Sequence, residues 1–177
     1  EFTFYPATKE GYSFDGWYLE PEFETQVFDL TGRTGDFTLY AKWSQGKYTI
    51  TYELNGGENH PDNPTEYSIE DEFEFQNPTR EGYTFGGWYK DPSLSKGKIT
   101  KIAKGSTGDL TIYAKWTAKR ITVKFDGNGE GAKVSKSSMT VVYGETYGTN
   151  LPTATREGFE FLGWITEGGV QITSDSV

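Results

Sequence analysis

The sequence predicts a β-rich α+β protein made of small tandem repeat domains, and two recurring elements support this. The first is the run Gly-Tyr-Thr-Phe-Gly-Gly-Trp-Tyr at 82–89, which has recognisable copies at 11–18 and 158–165. The second is a closing signature at 39–43, Leu-Tyr-Ala-Lys-Trp, which returns as Ile-Tyr-Ala-Lys-Trp at 112–116. Two ordered signatures that recur together indicate a repeated domain rather than a short repeated motif.

The spacing of the tryptophans gives the size of the unit. Trp88 follows Trp17 by 71 positions, and Trp164 follows Trp88 by 76. About 70 residues are enough to enclose one modest core, so we expect successive small domains rather than a solenoid. The signature residues of the repeat are Trp17, Trp43, Trp88, Trp116, Trp164, Gly82, Gly87, Gly158 and Gly163.

Alignment of the signatures divides the chain into three units, named here repeats 1, 2 and 3. Residues 1–43 match the C-terminal part of a repeat, 48–116 form a complete one, and 120–177 match the N-terminal part of a third. We expect repeat 1 to lack a first strand and repeat 3 to lack a closing strand. A head-to-tail exchange between molecules, in which one repeat completes the other, is the less favoured alternative to arbitrary boundaries.

Alternation of apolar and polar residues predicts the strands. Period-2 patterns are found at 37–43, 48–54, 99–102, 109–116 and 121–125. In the Gly-Trp element strict alternation would place the tryptophan opposite the preceding aromatic residues, so we expect a glycine bulge that lets it join the core.

Composition indicates an aromatic core and limits the classes of partner. The chain has 12 Tyr, 12 Phe and 5 Trp, with 22 Gly for turns and no Cys. Its net charge of -9 argues against binding to nucleic acid or to an anionic membrane surface. Direct insertion into a membrane is not expected either. No apolar run is long enough to span a bilayer.

Three segments together carry a family resemblance. Residues 48–57, 78–89 and 110–116 resemble the Listeria-Bacteroides repeat, the family that includes the B-repeats of internalins. The resemblance implies a small β-grasp-like domain of secreted or cell-wall-attached bacterial surface proteins, without a catalytic motif and with host contacts in some members. Repeat 3 departs from the pattern with Ile165, where the other repeats have Tyr18 and Tyr89.

No catalytic, cofactor or metal site is expected. Residues 126–131 look like the first half of a calcium loop, but Ser137 stands where a bidentate Glu is needed, so a glycine-rich turn is favoured. The single histidine, His60, lies in a Pro- and Asn-rich loop without a second ligand residue nearby, and we interpret it as a loop residue. A hydrolase is the least favoured interpretation, because nothing beyond scattered carboxylates supports it.

The candidate binding residues are four tyrosines that alternation places outward. Exposed tyrosines are common at interfaces because they add contact area at a small entropic cost. The expected role is a stalk or spacer on the bacterial surface or cell wall, with accessory adhesion to a host surface protein or glycan. The alternative is a carbohydrate-binding accessory module of a secreted polysaccharide-degrading enzyme, in which weak sites gain avidity from repetition. The four candidates are Tyr18, Tyr40, Tyr89 and Tyr113.

Overall fold

The computed structural model describes residues 4–177, which form short strands with little helix. Within that part of the chain the one helical segment is a 3-10 turn at Gly148–Asn150, so the β-rich prediction is confirmed. The strands are β1 (Tyr12–Tyr18), β2 (Gln26–Val27), β3 (Tyr40–Gln45), β4 (Lys47–Glu53), β5 (Glu66–Ser68), β6 (Phe73–Glu74), β7 (Tyr83–Tyr89), β8 (Lys98–Ile99), β9 (Lys101–Ile102), β10 (Leu110–Ala118), β11 (Arg120–Lys124), β12 (Lys133–Val134), β13 (Ser138–Val142), β14 (Ala154–Thr155), β15 (Trp164–Ile165) and β16 (Gln171–Ile172).

Two sheets hold the signature strands of repeats 1 and 2. The first has the order β2-β1-β3, and β1 is antiparallel to both neighbours. The second has the order β5-β4-β10-β7-β8, in which β4 is antiparallel to β5 and parallel to β10. A parallel pair requires a long crossover, so the opening and closing strands of repeat 2 become neighbours only after the whole repeat has been traversed. The remaining described strands form the pairs β6-β9, β11-β13, β12-β14 and β15-β16.

The described residues form two compact units. The first comprises the chain up to Asn55, together with Asn59–Pro78 and Gly87–Ala114. Its largest fully buried side chains are Trp88, 2% exposed, and Ile112, 0% exposed. The ring of Trp88 meets that of Tyr52 edge to face at 5.4 Å between centroids. The other buried apolar residues of this unit are Tyr18, Val27, Ile50, Tyr67, Phe75, Ile102 and Ala114.

The second unit comprises Gly56–Glu58, Thr79–Gly86 and Lys115–Val177. Its aromatic contacts join Phe85 to Trp116, with ring centroids 5.4 Å apart, and Phe125 to Trp164, with centroids 4.8 Å apart. Phe125 is buried, at 9% exposed. Aromatic pairs therefore supply much of the apolar contact here, as the composition predicted.

One hydrogen bond has the same sequence spacing in all three repeats. The indole N–H of Trp17 donates to the carbonyl of Tyr5 at 3.2 Å, and that of Trp88 donates to the carbonyl of Gln76 at 3.2 Å. The indole of Trp164 donates to the carbonyl of Pro152 at 2.6 Å. Each acceptor lies 12 residues before its tryptophan. Trp17, Trp88 and Trp164 are therefore structural side chains with a satisfied polar atom.

A glycine with a positive φ angle precedes each of these tryptophans. Pairing of β1 with β3 shifts register between Phe14 and Gly16, which places a bulge in the Gly-Trp element of repeat 1. Gly16 has φ 129°, and Gly87 and Gly163 have φ 121° and 131°. An L side chain rarely adopts such angles, so glycine is favoured at these three positions.

Two predicted strands differ from the structure. The closing strand of repeat 1 begins at Tyr40, and Phe37, which is 44% exposed, does not join its inward face. Gly35 has φ 84° two residues earlier, which places the approach to β3 in a turn. The strand expected at 99–102 is divided into β8 and β9, because β8 pairs with β7 whereas β9 pairs with β6.

The core contact of β10 gives a first prediction. Replacement Ile112→Ala removes a side chain without solvent exposure and should lower the free energy of unfolding by about 2–5 kcal/mol. Urea unfolding followed by far-UV circular dichroism measures the loss. Thr111→Ala, at the exposed neighbouring position of the same strand, is the control and should change it by about 0.5 kcal/mol or less. Equal effects of the two substitutions would contradict the assigned register of β10.

Candidate functional site

The tyrosines of repeat 1 are direct neighbours across two strands. Tyr18 on β1 pairs with Tyr40 on β3. Tyr40 is 37% exposed, but Tyr18 is buried at 9%, so the prediction that all four tyrosines face outward is wrong for Tyr18. The ring of Phe23 meets that of Tyr18 edge to face at 5.5 Å, and the Lys42 ammonium lies 5.1 Å from the Tyr18 ring centroid. Side chains from a loop and from β3 therefore cover it.

The other two tyrosines belong to the second sheet. Tyr89 ends β7 and Tyr113 lies in β10, and both are half-buried. Tyr113 stands opposite Glu53 in the parallel pairing of β10 with β4. The four candidates are thus divided between two sheets, one pair in each. Tyr40, Tyr89 and Tyr113 are the partly exposed members of the four.

The residues interpreted as turn and loop positions make local contacts. The Asp126 carboxylate accepts a hydrogen bond from the Asn128 N–H at 2.8 Å, which is the geometry of an Asx turn. His60 Nδ1 accepts one from the Asp62 N–H at 3.2 Å. Among residues 4–177 no group of three His, Asp or Glu side chains is arranged to hold a metal ion.

A cleft of about 650 Å³ in the first unit is a feature that the sequence did not predict. It lies beside β8 and β9, and Lys90, Lys98 and Lys101 contribute to its wall. The segment 106–110 forms the opposite part of the lining, with Tyr67. The Tyr67 hydroxyl donates to the Gly108 carbonyl at 2.5 Å and so holds this segment in place.

The charges around the cleft are mainly positive. Residues 90–104 contain five lysines and one acidic residue, Asp91, in a chain whose net charge is -9. The Lys101 ammonium is paired with Glu72 at 3.1 Å. The Asp109 carboxylate, also in the lining, accepts a hydrogen bond from the Thr49 N–H at 2.7 Å. A cleft of this size with several ammonium groups at its wall has the chemistry to hold an anionic group.

A second group of charged side chains centres on Glu70. Its carboxylate accepts a hydrogen bond from the Tyr12 hydroxyl at 2.6 Å and pairs with the Lys104 ammonium at 2.7 Å. These bonds, first that of Lys104 and then that of Tyr12, lower the pKa of Glu70. The hydrogen bond to Glu70 raises the pKa of Tyr12, and the pKa of Lys104 is raised by the same carboxylate. Lys9 also faces this group, with its ammonium 3.7 Å from the Tyr12 ring centroid.

Successive small strand units with the same tryptophan hydrogen bond and the same positive-φ glycine before it define a tandem β-repeat protein. The sequence profile of the Listeria-Bacteroides repeat domain matches residues 3–42, 48–115 and 122–176. The chain belongs to this family, as the resemblance of its motifs predicted.

Three curated proteins illustrate the relationship. A protein of Evansella cellulosilytica named "Putative Gly-rich membrane protein" is 42% identical over 74% of this chain and 15% of its own length. Another from that organism, named "Putative membrane protein", is 34% identical over 92% of the chain and 24% of its own length. Internalin H of Listeria monocytogenes is 32% identical over 62% of the chain and 20% of its own length. The chain therefore spans less than a quarter of each relative.

No solved structure is significantly similar to this chain. Among residues 4–177 there is no helix with the length and apolar character required to cross a membrane.

The Glu70 group gives a pH-dependent prediction. Because the pKa of Glu70 is lowered in the folded chain, its stabilising effect is complete above the ordinary glutamate pKa of about 4.3. The effect is lost as the pH falls through the lowered value. Glu70→Gln should therefore lower the urea midpoint at pH 7 and have no effect on it near about pH 2. Glu53→Gln, at an exposed position of β4, is the control. An equal effect of Glu70→Gln at both pH values would exclude this role of the carboxylate.

Proposed function

We propose that this chain is a non-catalytic repeat region of a bacterial cell-surface or secreted protein, which acts as a spacer and as an accessory adhesion module. One observation carries the proposal. The residues that recur between repeats serve the strand framework, as the hydrogen-bonded tryptophan and the positive-φ glycine before it illustrate. Repeats that share a constant framework can lengthen a spacer by their number. A surface that differs from repeat to repeat allows each copy to contact a different ligand.

The proposed location is the outer surface or wall of the cell. The names of the two Evansella relatives refer to membrane proteins, and the third relative is an internalin. Because the chain spans only part of each relative, the role of the whole protein is part of this proposal rather than a finding.

The proposed architecture of each complete repeat is β-grasp-like. The support is the pairing of β4 with β10, the parallel neighbours at the centre of the second sheet, and of β4 with β5 in an antiparallel hairpin. The boundaries proposed for the repeats are 1–43, 48–116 and 120–177, and the middle one contains both signatures and its own opening strand, β4.

The charge of the segment after the Gly-Trp element distinguishes repeat 1 from repeat 2. In repeat 1 the segment 19–33 carries four acidic residues and one arginine. In repeat 2 the segment 90–104 carries five lysines and one aspartate and lines the cleft. The net charge of these segments changes sign while the strand framework stays the same. This difference supports a role for the segments in determining which ligand each repeat binds.

The ligand proposed for repeat 2 is an anionic group of a glycan or of a host surface protein. Lys90 and Lys98 are exposed at the cleft wall, where their ammonium groups suit a carboxylate or sulfate. Tyr40, Tyr89 and Tyr113 are proposed as additional contacts, since partly exposed tyrosines provide apolar area beside a polar hydroxyl.

The experiment measures binding of the fluorescently labelled 177-residue chain to heparin, to neutral dextran and to fibronectin at physiological salt. We expect saturable binding to heparin that weakens by about tenfold in the double variant Lys90→Glu, Lys98→Glu, a loss equivalent to about 1.4 kcal/mol. The reason is that two attractive charges at the cleft become repulsive.

The matched control is the double variant Lys133→Glu, Lys136→Glu. It makes the same change of net charge at two exposed lysines of repeat 3, away from the cleft lining. Equal weakening by both double variants would show that net charge alone governs binding and would overturn the cleft proposal. Binding to dextran, lost on Tyr40→Ala, would favour the carbohydrate-binding alternative. No binding at high micromolar concentration would leave the spacer role alone.

A further inference from the structure

A glycine of repeat 1 receives a side chain of repeat 2. Gly11 has φ 76°, and a Cβ placed on it would lie 2.6 Å from Ile69 Cδ1. The Gly11 carbonyl accepts a hydrogen bond from the Gly46 N–H at 2.9 Å, in the linker that follows β3. The missing side chain thus leaves room for Ile69, and the linker is held against the same glycine. These contacts all lie within the first compact unit.

The corresponding glycine of repeat 2 receives a side chain of repeat 3. Gly82 has φ 74°, and a Cβ placed on it would overlap the ring of Tyr143. The Gly82 carbonyl accepts a hydrogen bond from the linker N–H of Lys119 at 2.8 Å, and the Tyr143 N–H donates to the Lys119 carbonyl at 2.9 Å. The Tyr143 ring also meets that of Tyr83 edge to face at 5.8 Å. These contacts all lie within the second compact unit.

The two inserted side chains occupy the same place in their repeats. Ile69 directly follows β5, which pairs with β4 in the opening hairpin of repeat 2. Tyr143 directly follows β13, which pairs with β11 at the opening of repeat 3. We call the contact between the glycine of one repeat and the side chain of the next repeat a joint. The same joint therefore occurs twice, with Ile69 at Gly11 and Tyr143 at Gly82. The receiving glycine and the linker N–H are the constant parts.

Repeat 3 carries the receiving glycine of this joint without an inserted side chain. Gly158 has φ 78°, and the Phe159 N–H donates to the Arg156 carbonyl at 3.1 Å, as the Tyr12 N–H does to Lys9 at 3.1 Å. The Arg156 guanidinium lies over the Phe159 ring at 4.2 Å. Among residues 4–177, apart from Gly158 and its two chain neighbours, no atom lies within 4 Å of a Cβ placed on Gly158, and Phe159 is 65% exposed.

We propose that the surface formed by Gly158 and Phe159 is a docking surface for a further repeat of this family in the same chain. The occupant presents a large apolar side chain immediately after the second strand of its opening hairpin, in the place of Ile69 and Tyr143. The argument is continuity: the same surface at Gly11 and at Gly82 is filled by such a side chain. The proposal concerns the joint between repeats and is independent of any ligand of the cleft.

The first experiment tests the joint that is already present. Because the Tyr143 ring lies against Gly82, the ring current displaces the NMR signals of the Gly82 α-protons. Tyr143→Ser should abolish this displacement and speed hydrogen exchange of the Lys119 amide by at least about tenfold, which corresponds to 1.4 kcal/mol. Tyr143→Ile, which copies Ile69, should keep the slow exchange. Tyr147→Ser, at another half-buried tyrosine of repeat 3, is the control.

The second experiment fills the open surface. A second copy of residues 105–177 is joined after Val177, so that a closing strand, a linker and a further opening hairpin follow repeat 3. We expect the Gly158 α-proton signals to move as those of Gly82 do, and to return when the added copy carries its own Tyr143→Ser substitution. That variant retains the added closing strand, so it separates docking from completion of the sheet.

Two results would overturn the proposal. One is unchanged exchange of the Lys119 amide in Tyr143→Ser while the Ile50 amide of β4 remains protected. The other is a Gly158 signal that does not respond to the added repeat, or that responds equally with and without the substitution in it.

Discussion

The hydrogen bond from the signature tryptophan to a carbonyl 12 residues earlier is the constraint on which each repeat depends. The indole brings a large apolar ring into a small core, but its N–H must keep a partner there. The ring of Trp88 can therefore be buried only when the segment before the Gly-Trp element passes its edge. The positive φ of Gly87 turns the ring towards that segment. One polar contact thus ties together the lead segment, the bulge and the core.

The strand framework could be predicted because its pattern is local. Alternation located β4, β10 and β11 to within a few residues. The errors came from contacts that alternation does not contain. Alternation predicts that Tyr18 faces outward, but Phe23 from the variable segment and Lys42 from β3 cover its ring. Burial at that position depends on a loop whose conformation the repeat signature does not describe.

The lysine-lined cleft was missed for a different reason. The overall charge of -9 predicts a negative surface, whereas the segment 90–104 alone has a positive net charge. A count of charged residues in each variable segment would have found this excess of lysines. It would not have predicted that β8 and β9 pair with different strands beside Lys98. The joints between repeats could not be predicted from a sequence pattern, because Ile69 and Tyr143 share neither size nor polarity.

The identical construction of the joints at Gly11 and Gly82 affects how such proteins change over evolutionary time. Each joint uses a glycine and a linker N–H from one repeat and a single side chain from the next. Duplication or loss of one whole period in the gene would bring together the same kinds of partner at the new boundary. The number of repeats can then vary without compensating substitutions, while each copy remains free to acquire a variable segment of its own charge.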